Sequence, residues 1–336
     1  MSTEPGTASD GRGVSGAIDR VRTLSAADFA LQAGIIGIGL LLFIVFALVS
    51  SSFSSGDNLR NILMQVSVVG VVSIGETLVM LTGGIDLSVG SIVLFSSVVM
   101  STLSVEHGWP PVLAILVGLA AGLGVGLLNG IIVVTFGIQP IIVTLGTLLV
   151  ASGLGQILLQ SQYVTVTSHA FTDVAVVKFV GIPLMVWAML ALYLLAGAVM
   201  YRTSFGRSVY AIGDNRTAAR IAGLPVGRRL LAVYALSGLL AGVAGYLEVG
   251  QLGVISQNDG AGMQFTAILG VLVGGLSVQT GGVGRVERTL VGTVIAGMIS
   301  NFLVLEGVPG AFEQAAVGGL ILLAVLSDHV LRRGRL

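Results

Sequence analysis

Acids are few in the long apolar stretches of this 336-residue chain; among them are Glu76, inside one such run, and Asp86, in the short polar break Thr82–Gly90 that follows it. An acid at the centre of a bilayer costs about 2.5–3.5 kcal/mol on insertion scales, so one retained there is a candidate for contact with whatever crosses the membrane. Each has a plainer reading as well. Glu76 also suits an interfacial position near a helix end. Asp86, following Gly83-Gly84-Ile85 and preceding Leu87-Ser88, also suits a helix start, where Asp or Ser accepts from free backbone N–H groups. Other polar side chains in apolar surroundings are Ser88, Asn129, Thr144, Thr147 and Asn301. They suit transient contact with whatever crosses the membrane, or the tying together of neighbouring helices.

Catalytic chemistry finds no foothold. The three histidines (His107, His169 and His329) share no metal-ligand spacing, and no H-E-x-x-H occurs. There is no G-x-S-x-G elbow. With no cysteine, disulfides, thiolate metal sites and cysteine nucleophiles are excluded. No G-x-x-x-x-G-K-[ST] loop is present, and the only lysine is Lys178. The chain therefore does not hydrolyse ATP by that route; if ATP drives it, another subunit supplies the engine. No cofactor is implied, and a net charge of zero implies no attraction to nucleic acid.

The elements that carry these residues are membrane helices. Hydrophobic residues make up 54 % of the chain and charged residues 10 %, with mean hydropathy +1.00. An ordinary soluble domain has about 25 % charged residues, and a chain this poor in polar surface cannot cover a soluble core. Crossing the hydrocarbon takes about 20 mostly apolar residues. On that measure the expected fold is an all-α, polytopic bundle of ten spans near 30–50, 59–81, 88–105, 111–135, 139–160, 181–201, 230–250, 262–280, 290–307 and 311–331.

Charge orients the bundle. Arg12, Arg20 and Arg22 precede the first span; Arg202, Arg207, Arg216, Arg220, Arg228 and Arg229 follow the sixth; Arg285 and Arg288 follow the eighth; Arg332, Arg333 and Arg335 follow the tenth. With ten spans all four segments share one face, which the positive-inside rule makes cytoplasmic, so both termini are expected inside. Only Arg60 and Lys178 fall opposite, and Arg60 sits at a helix end where it can snorkel. Residues 1–29 are polar and aperiodic, and read as a disordered cytoplasmic tail before a permease domain at 30–332. The apolar run Ala30–Ser50 is longer than the core of a signal peptide, and reads as a retained anchor.

Glycine supplies 49 residues. Gly118, Gly122, Gly126 and Gly130 recur every fourth residue in the fourth span, and Gly238 and Gly242 repeat the spacing in the seventh. Small residues at this spacing let membrane helices approach closely.

Three stretches then carry a family likeness. They are Thr82-Gly83-Gly84-Ile85-Asp86-Leu87-Ser88-Val89-Gly90-Ser91; Asn129-Gly130 through Pro140-Ile141-Ile142-Val143-Thr144-Leu145-Gly146-Thr147; and Gly206-Arg207 through Tyr210-Ala211-Ile212-Gly213-Asp214-Asn215, Ala218-Ala219-Arg220 and Gly223-Leu224-Pro225. Over about residues 30–331 the chain resembles the permease subunit of a ribose-type ABC importer of simple sugars, within the branched-chain amino acid/ribose permease superfamily. The resemblance implies a bacterial plasma (inner) membrane protein working as a pair, a homodimer or a heterodimer with a paralogue, embedded in lipid. Two ABC ATPase subunits would dock on the cytoplasmic side, and an extracytoplasmic sugar-binding protein would deliver cargo.

The third stretch resembles the family's coupling loop, here within 202–229, and implies that Asp214, Asn215, Arg216, Ala218, Ala219, Arg220, Gly223 and Pro225 face the ATPase. Local chemistry is compatible: a short helix Asn215–Ile221 is expected, capped by Asp214 or Asn215 and stopped by Gly223 and Pro225. The pattern departs from the family at Thr217, where Glu is common, and at Gln264-Phe265-Thr266, where acids are common. Those departures fit either a heteromeric pair or a different cargo.

The mechanism expected is alternating access driven by the partner ATPase, with Glu76, Gly83, Gly84, Asp86, Ser88, Asn129, Thr144, Thr147 and Asn301 as candidate path or gate residues. Within the family, a pentose or hexose, a polyol and a furanosyl signal of autoinducer type all remain open as cargo. The rivals outside it are an ion-coupled secondary transporter and a membrane-embedded enzyme.

Overall fold

The computed structural model describes the backbone of residues 12–160, 163–277 and 280–333, and the side chains of 30–160, 163–277 and 280–330. Helix α1 (Arg12–Val49) leads into α2 (Gly56–Leu81), then α3 (Val89–Val105), α4 (Pro111–Phe136) and α5 (Pro140–Leu159). Strand β1 (Val164–Thr165), helix α6 (His169–Val176) and strands β2 (Lys178–Phe179) and β3 (Ile182–Pro183) form a small cap before α7 (Leu184–Arg202). Then come α8 (Ser204–Asp214), α9 (Arg216–Ile221), α10 (Val226–Leu252), β4 (Val254–Ile255), α11 (Met263–Val273), α12 (Val286–Leu305) and α13 (Gly310–Arg333). The fold is an all-α polytopic bundle.

Among the described residues eight helices are long and apolar enough to cross a membrane, while α3 and α11 are shorter apolar helices. The eighth expected span, 262–280, contains a helix of only 11 residues, about 16 Å long at 1.5 Å per residue. It stops at Gly274, whose backbone lies so close to Arg288 that an added Cβ would sit 2.8 Å from the Arg288 carbonyl oxygen. The next residue, Gly275, has φ +86°. Hydropathy ran on through these glycines, where the backbone turns.

The stretch read as a tail, 1–29, overlaps α1, whose backbone is helical from Arg12. Residues 1–11 and Arg335 lie outside the described residues, as do the side chains of Arg12, Arg20, Arg22, Arg332 and Arg333.

Helix α2 runs through the middle. Every residue from Val66 to Thr82 is buried, as expected of a helix apolar on all sides. Helices α3, α10, α11 and α12 contribute most of the remaining core, while α1, α5 and α13 present many exposed apolar side chains. The glycine ridge of α4 is where it meets α10: a Cβ on Gly126 would lie 2.3 Å from the Tyr234 carbonyl oxygen, and one on Gly238 2.3 Å from that of Gly122. The backbones touch because nothing intervenes.

Two ends result. Loop 202–229, with α8 and α9, defines a basic end, shared by the end of α2 and the starts of α10 and α12. The opposite end carries the cap. There β1 pairs antiparallel with β4, Val164 opposite Ile255. Strands β2 and β3 are joined through Val180 (φ 52°) and Gly181 (φ 78°), the paired positive φ values of a tight hairpin turn.

Candidate translocation site

The break between α2 and α3 is held from four sides. Glu76, Asp86, Ser88, Asn129 and Thr144 are each fully buried. From α2, Glu76 Oε1 accepts from the Asp86 backbone N–H at 3.3 Å. From α5, the Thr144 hydroxyl donates to the Ile85 carbonyl at 3.2 Å and accepts from the Leu87 N–H at 3.1 Å. From α4, the Asn129 amide donates to Ser88 Oγ at 2.9 Å. From α10, the Ser237 hydroxyl donates to Asp86 Oδ2 at 3.0 Å. Asp86 Oδ1 in turn accepts from the Ser88 N–H at 3.0 Å and from its hydroxyl. Irregular backbone inside a membrane protein persists only where protein satisfies its polar groups, and these contacts do so.

Five of the nominated polar residues therefore form one knot. Asp86 serves the break itself, while Ser88 occupies the position before α3 without capping it through its side chain. Glu76 Oε2, Asn129 Oδ1 and the Tyr234 hydroxyl are buried there without a partner among the described residues. Gly84 is required by close approach, since a Cβ would lie 2.6 Å from the Tyr234 hydroxyl oxygen, whereas Gly83 adopts φ +79° with open space beside it.

Two nominees lie differently. Thr147 hydrogen-bonds back to the carbonyls of Val143 and Thr144 on its own helix. Asn301 is far from the knot: its side-chain amide exchanges hydrogen bonds with that of Asn58 at 2.9 and 3.1 Å. The pair sits beside Phe53, which packs edge-on to Phe46 and Phe302.

A cavity of about 740 Å³ opens at the end opposite the basic loop, among α2, α10, α11, α12 and α13. Polar side chains at its wall include Asn61 and Gln65 from α2 and Glu248 and Gln251 from α10. Sequence reasoning passed over these. Their signal was present: Asn61 and Gln65 are four residues apart and Glu248 and Gln251 three, each pair on one face of an apolar helix. A smaller cavity of about 200 Å³ lies between α3, α5 and the segment Asn258–Gly262, which also forms part of the wall of the larger one. None of the five knot residues lines either cavity.

At the basic end α9 forms as local chemistry dictates. The Asn215 side chain accepts from the Ala218 N–H at 2.9 Å, Gly223 takes φ +79° and Pro225 precedes α10. Ala219 is buried with Ile212, Val226 and Leu230. Asp214, Arg216, Ala218 and Arg220 are exposed, as is Ile221, which was not nominated and stands 83 % exposed at the helix end. Burial pushes the Tyr210 phenol above its ordinary value, so at neutral pH it remains a donor, to the Gly284 carbonyl at 3.1 Å.

Helix α8 ends hard against α2. A Cβ on Gly213 would lie 1.9 Å from the Leu81 carbonyl oxygen and 2.3 Å from the Gly282 nitrogen, and one on Gly281 would lie 2.8 Å from the Gly83 nitrogen. The Gly282 N–H donates to the Leu81 carbonyl at 2.9 Å. Three backbones thus meet without intervening side chains, immediately before the break that the knot holds.

A polytopic helical bundle with a buried interruption, a wall of polar groups at one end and an exposed capped helix at the other defines a membrane permease. The chain belongs to the family described as the branched-chain amino acid transport system / permease component, which matches residues 58–326. It is similar to the L-arabinose ABC transporter permease AraH of Azospirillum brasilense, 34 % identical over 90 % of this chain and 89 % of the relative. It is also similar to the ribose import permease RbsC of Escherichia coli K12, 36 % identical over 86 % of this chain and 91 % of the relative. The fructose import permease FrcC of Rhizobium meliloti is 34 % identical, over 85 % and 81 %. No solved structure matches it. The chain is an ABC transporter permease of the inner membrane, a transport subunit rather than an enzyme.

Proposed function

We propose that this permease imports a neutral simple sugar or related polyhydroxy compound by alternating access, driven by a separate ATPase docked at the basic end. The observation that carries the coupling half of this reading is the junction of α8 with α2. Helix α9 is exposed, capped and braced through Ala219, and its neighbour α8 abuts Leu81 backbone to backbone at Gly213, while Gly281, packed on Gly213, meets Gly83. A push on α9 therefore reaches the α2–α3 break through contacts too close to absorb it. Exposed Ile221, Arg216 and Arg220 give a partner one apolar and two cationic handholds.

The basic end faces the cytoplasm in this reading, so the larger cavity faces the binding protein. The sugar class follows from the arabinose, ribose and fructose permeases among its relatives. Autoinducer-type furanosyl signals and polyols share the same hydroxyl chemistry. The working unit is a pair of permeases in lipid, with two ATPase subunits and an extracytoplasmic binding protein.

The test is reconstitution in nanodiscs with candidate ATPase and binding-protein subunits, measuring ATPase stimulation and uptake over a sugar panel. One loaded binding protein should stimulate wild type, and Arg220→Glu and Gly223→Trp should abolish that stimulation while the permease remains folded. Uptake that follows an ion gradient and survives ATP depletion would instead establish a secondary transporter.

A further inference from the structure

We infer that the larger cavity is a saccharide-holding site in which Glu248 and Ser300 are the fixed partners of cargo hydroxyls. This rests on the importer reading and deepens it.

Unfilled hydrogen-bonding capacity makes the first argument. Glu248 is 7 % exposed and Ser300 2 %, and both stand on the cavity wall. Glu248 Oε1 accepts from the Gly260 N–H at 3.3 Å, but its Oε2 and the Ser300 hydroxyl have no partner among the described residues. A buried polar atom left unpaired costs about 1–3 kcal/mol, and native proteins keep few of them without a reason. Here the two come from different helices, α10 and α12, and border the same space. Asp259 does not compete for that role, because its two oxygens accept from the Ser256 N–H at 2.7 Å and hydroxyl at 2.9 Å.

Charge makes the second argument. Glu248, Asp259 and Glu313 border the cavity, and among the described residues no Lys, Arg or His does so. A cargo bearing a carboxylate or phosphate would meet acidic side chains with no basic one to offset them. A neutral polyol meets acceptors for its O–H groups and amides for its oxygens. Size and surface agree: about 740 Å³ falls within the range of small-molecule sites, which are apolar with a few placed polar groups. Phe265, 46 % exposed, offers a ring at the wall on which the C–H face of a sugar can lie.

Two features make the site testable. Gly318 borders the cavity, and a Cβ there would meet nothing within 4 Å, so Gly318→Phe adds a ring at the cavity wall with no clash at its Cβ. The chain has no cysteine, so Gln314→Cys at the cavity wall is a unique labelling position. In the nanodisc complex with ATPase and binding protein, Gly318→Phe should cut uptake at least tenfold while melting with wild type. Glu248→Gln and Ser300→Ala should each lower uptake. Maleimide labelling of Gln314→Cys, with no binding protein present, should be slowed by high concentrations of the transported sugar but not by an amino acid. That protection should weaken when Glu248→Gln is added.

Normal uptake by Gly318→Phe in an importing complex, or labelling indifferent to the sugar, would overturn the site and leave the importer reading standing. Protection by an amino acid instead would overturn the cargo class. A wild-type complex that imports no sugar with any binding protein would overturn the importer reading, and this inference with it.

Discussion

Gly213→Ala adds one carbon where α8 meets the end of α2. The Cβ would sit 1.9 Å from the Leu81 carbonyl oxygen and 2.3 Å from the Gly282 nitrogen, both backbone atoms. Ordinary contact begins near 3.4 Å, so α8 and α2 must separate by about 1.5 Å, a displacement that overpacked cores resist at about 1–3 kcal/mol. The Gly282 N–H···Leu81 carbonyl bond, 2.9 Å long, does not survive that movement, and its loss adds about 1 kcal/mol. The sum, about 2–4 kcal/mol, is equivalent to a shift of roughly 30- to 700-fold in whatever equilibrium depends on the junction. If the junction transmits motion from α9, the variant should still bind the ATPase, because α9 is untouched, yet lose stimulation by loaded binding protein and uptake together. The assay is ATPase turnover and uptake in nanodiscs, beside a thermal melt of the purified permease. Gly124→Ala is the control: it lies in α4 with nothing within 4 Å of its Cβ, so it should be neutral or slightly stabilising through helix propensity. A Gly213→Ala protein that melts and pumps like wild type would refute the reasoning, because the space said to be missing would then exist.

Other perturbations separate the parts of the molecule. Asn301→Leu leaves the Asn58 amide buried without its partner and should lower thermal stability by about 1–3 kcal/mol, whereas the double variant Asn58→Leu/Asn301→Leu should recover part of that loss, as a double-mutant cycle would record. Asp86→Ala strips an acceptor from the Ser88 N–H, the Ser88 hydroxyl and the Ser237 hydroxyl at once; it should reduce the folded yield severely, while Ser237→Ala, losing one neutral donor, should cost about 1 kcal/mol in a melt. Asn215→Ala removes the cap of α9 and about 1 kcal/mol of helix stability; stimulated ATPase activity should fall, and Asn215→Asp should restore it.

Local features were legible in the chain alone. The cap of α9 by Asn215, its stop at Gly223 and the close approach promised by Gly122 and Gly126 all depend on residues within a turn or on one helix face. Membrane insertion was legible for the same reason, since it depends on composition over a single span. Among the described residues eight helices reach spanning length, with α3 and α11 shorter; at α11 the hydropathy signal ran past the helix end, because Gly274 and Gly275 turn the backbone without lowering the apolar content.

What the chain by itself determined is therefore a helical, membrane-embedded, cysteine-free permease with an exposed, capped helix in its basic loop and a polar break after its second span. Only the tertiary structure decided which polar residues work together. It gathered Glu76, Asp86, Ser88, Asn129, Thr144 and Ser237 into one knot, sent Asn301 to pair with Asn58, and turned Glu248 and Ser300 toward a common cavity. The physical reason is that most of these helices are apolar on nearly every face, so no hydrophobic stripe marks which side meets protein. The partner of each buried hydroxyl, amide or carboxylate is then set by how neighbouring helices cross and rotate, and sequence spacing does not record that.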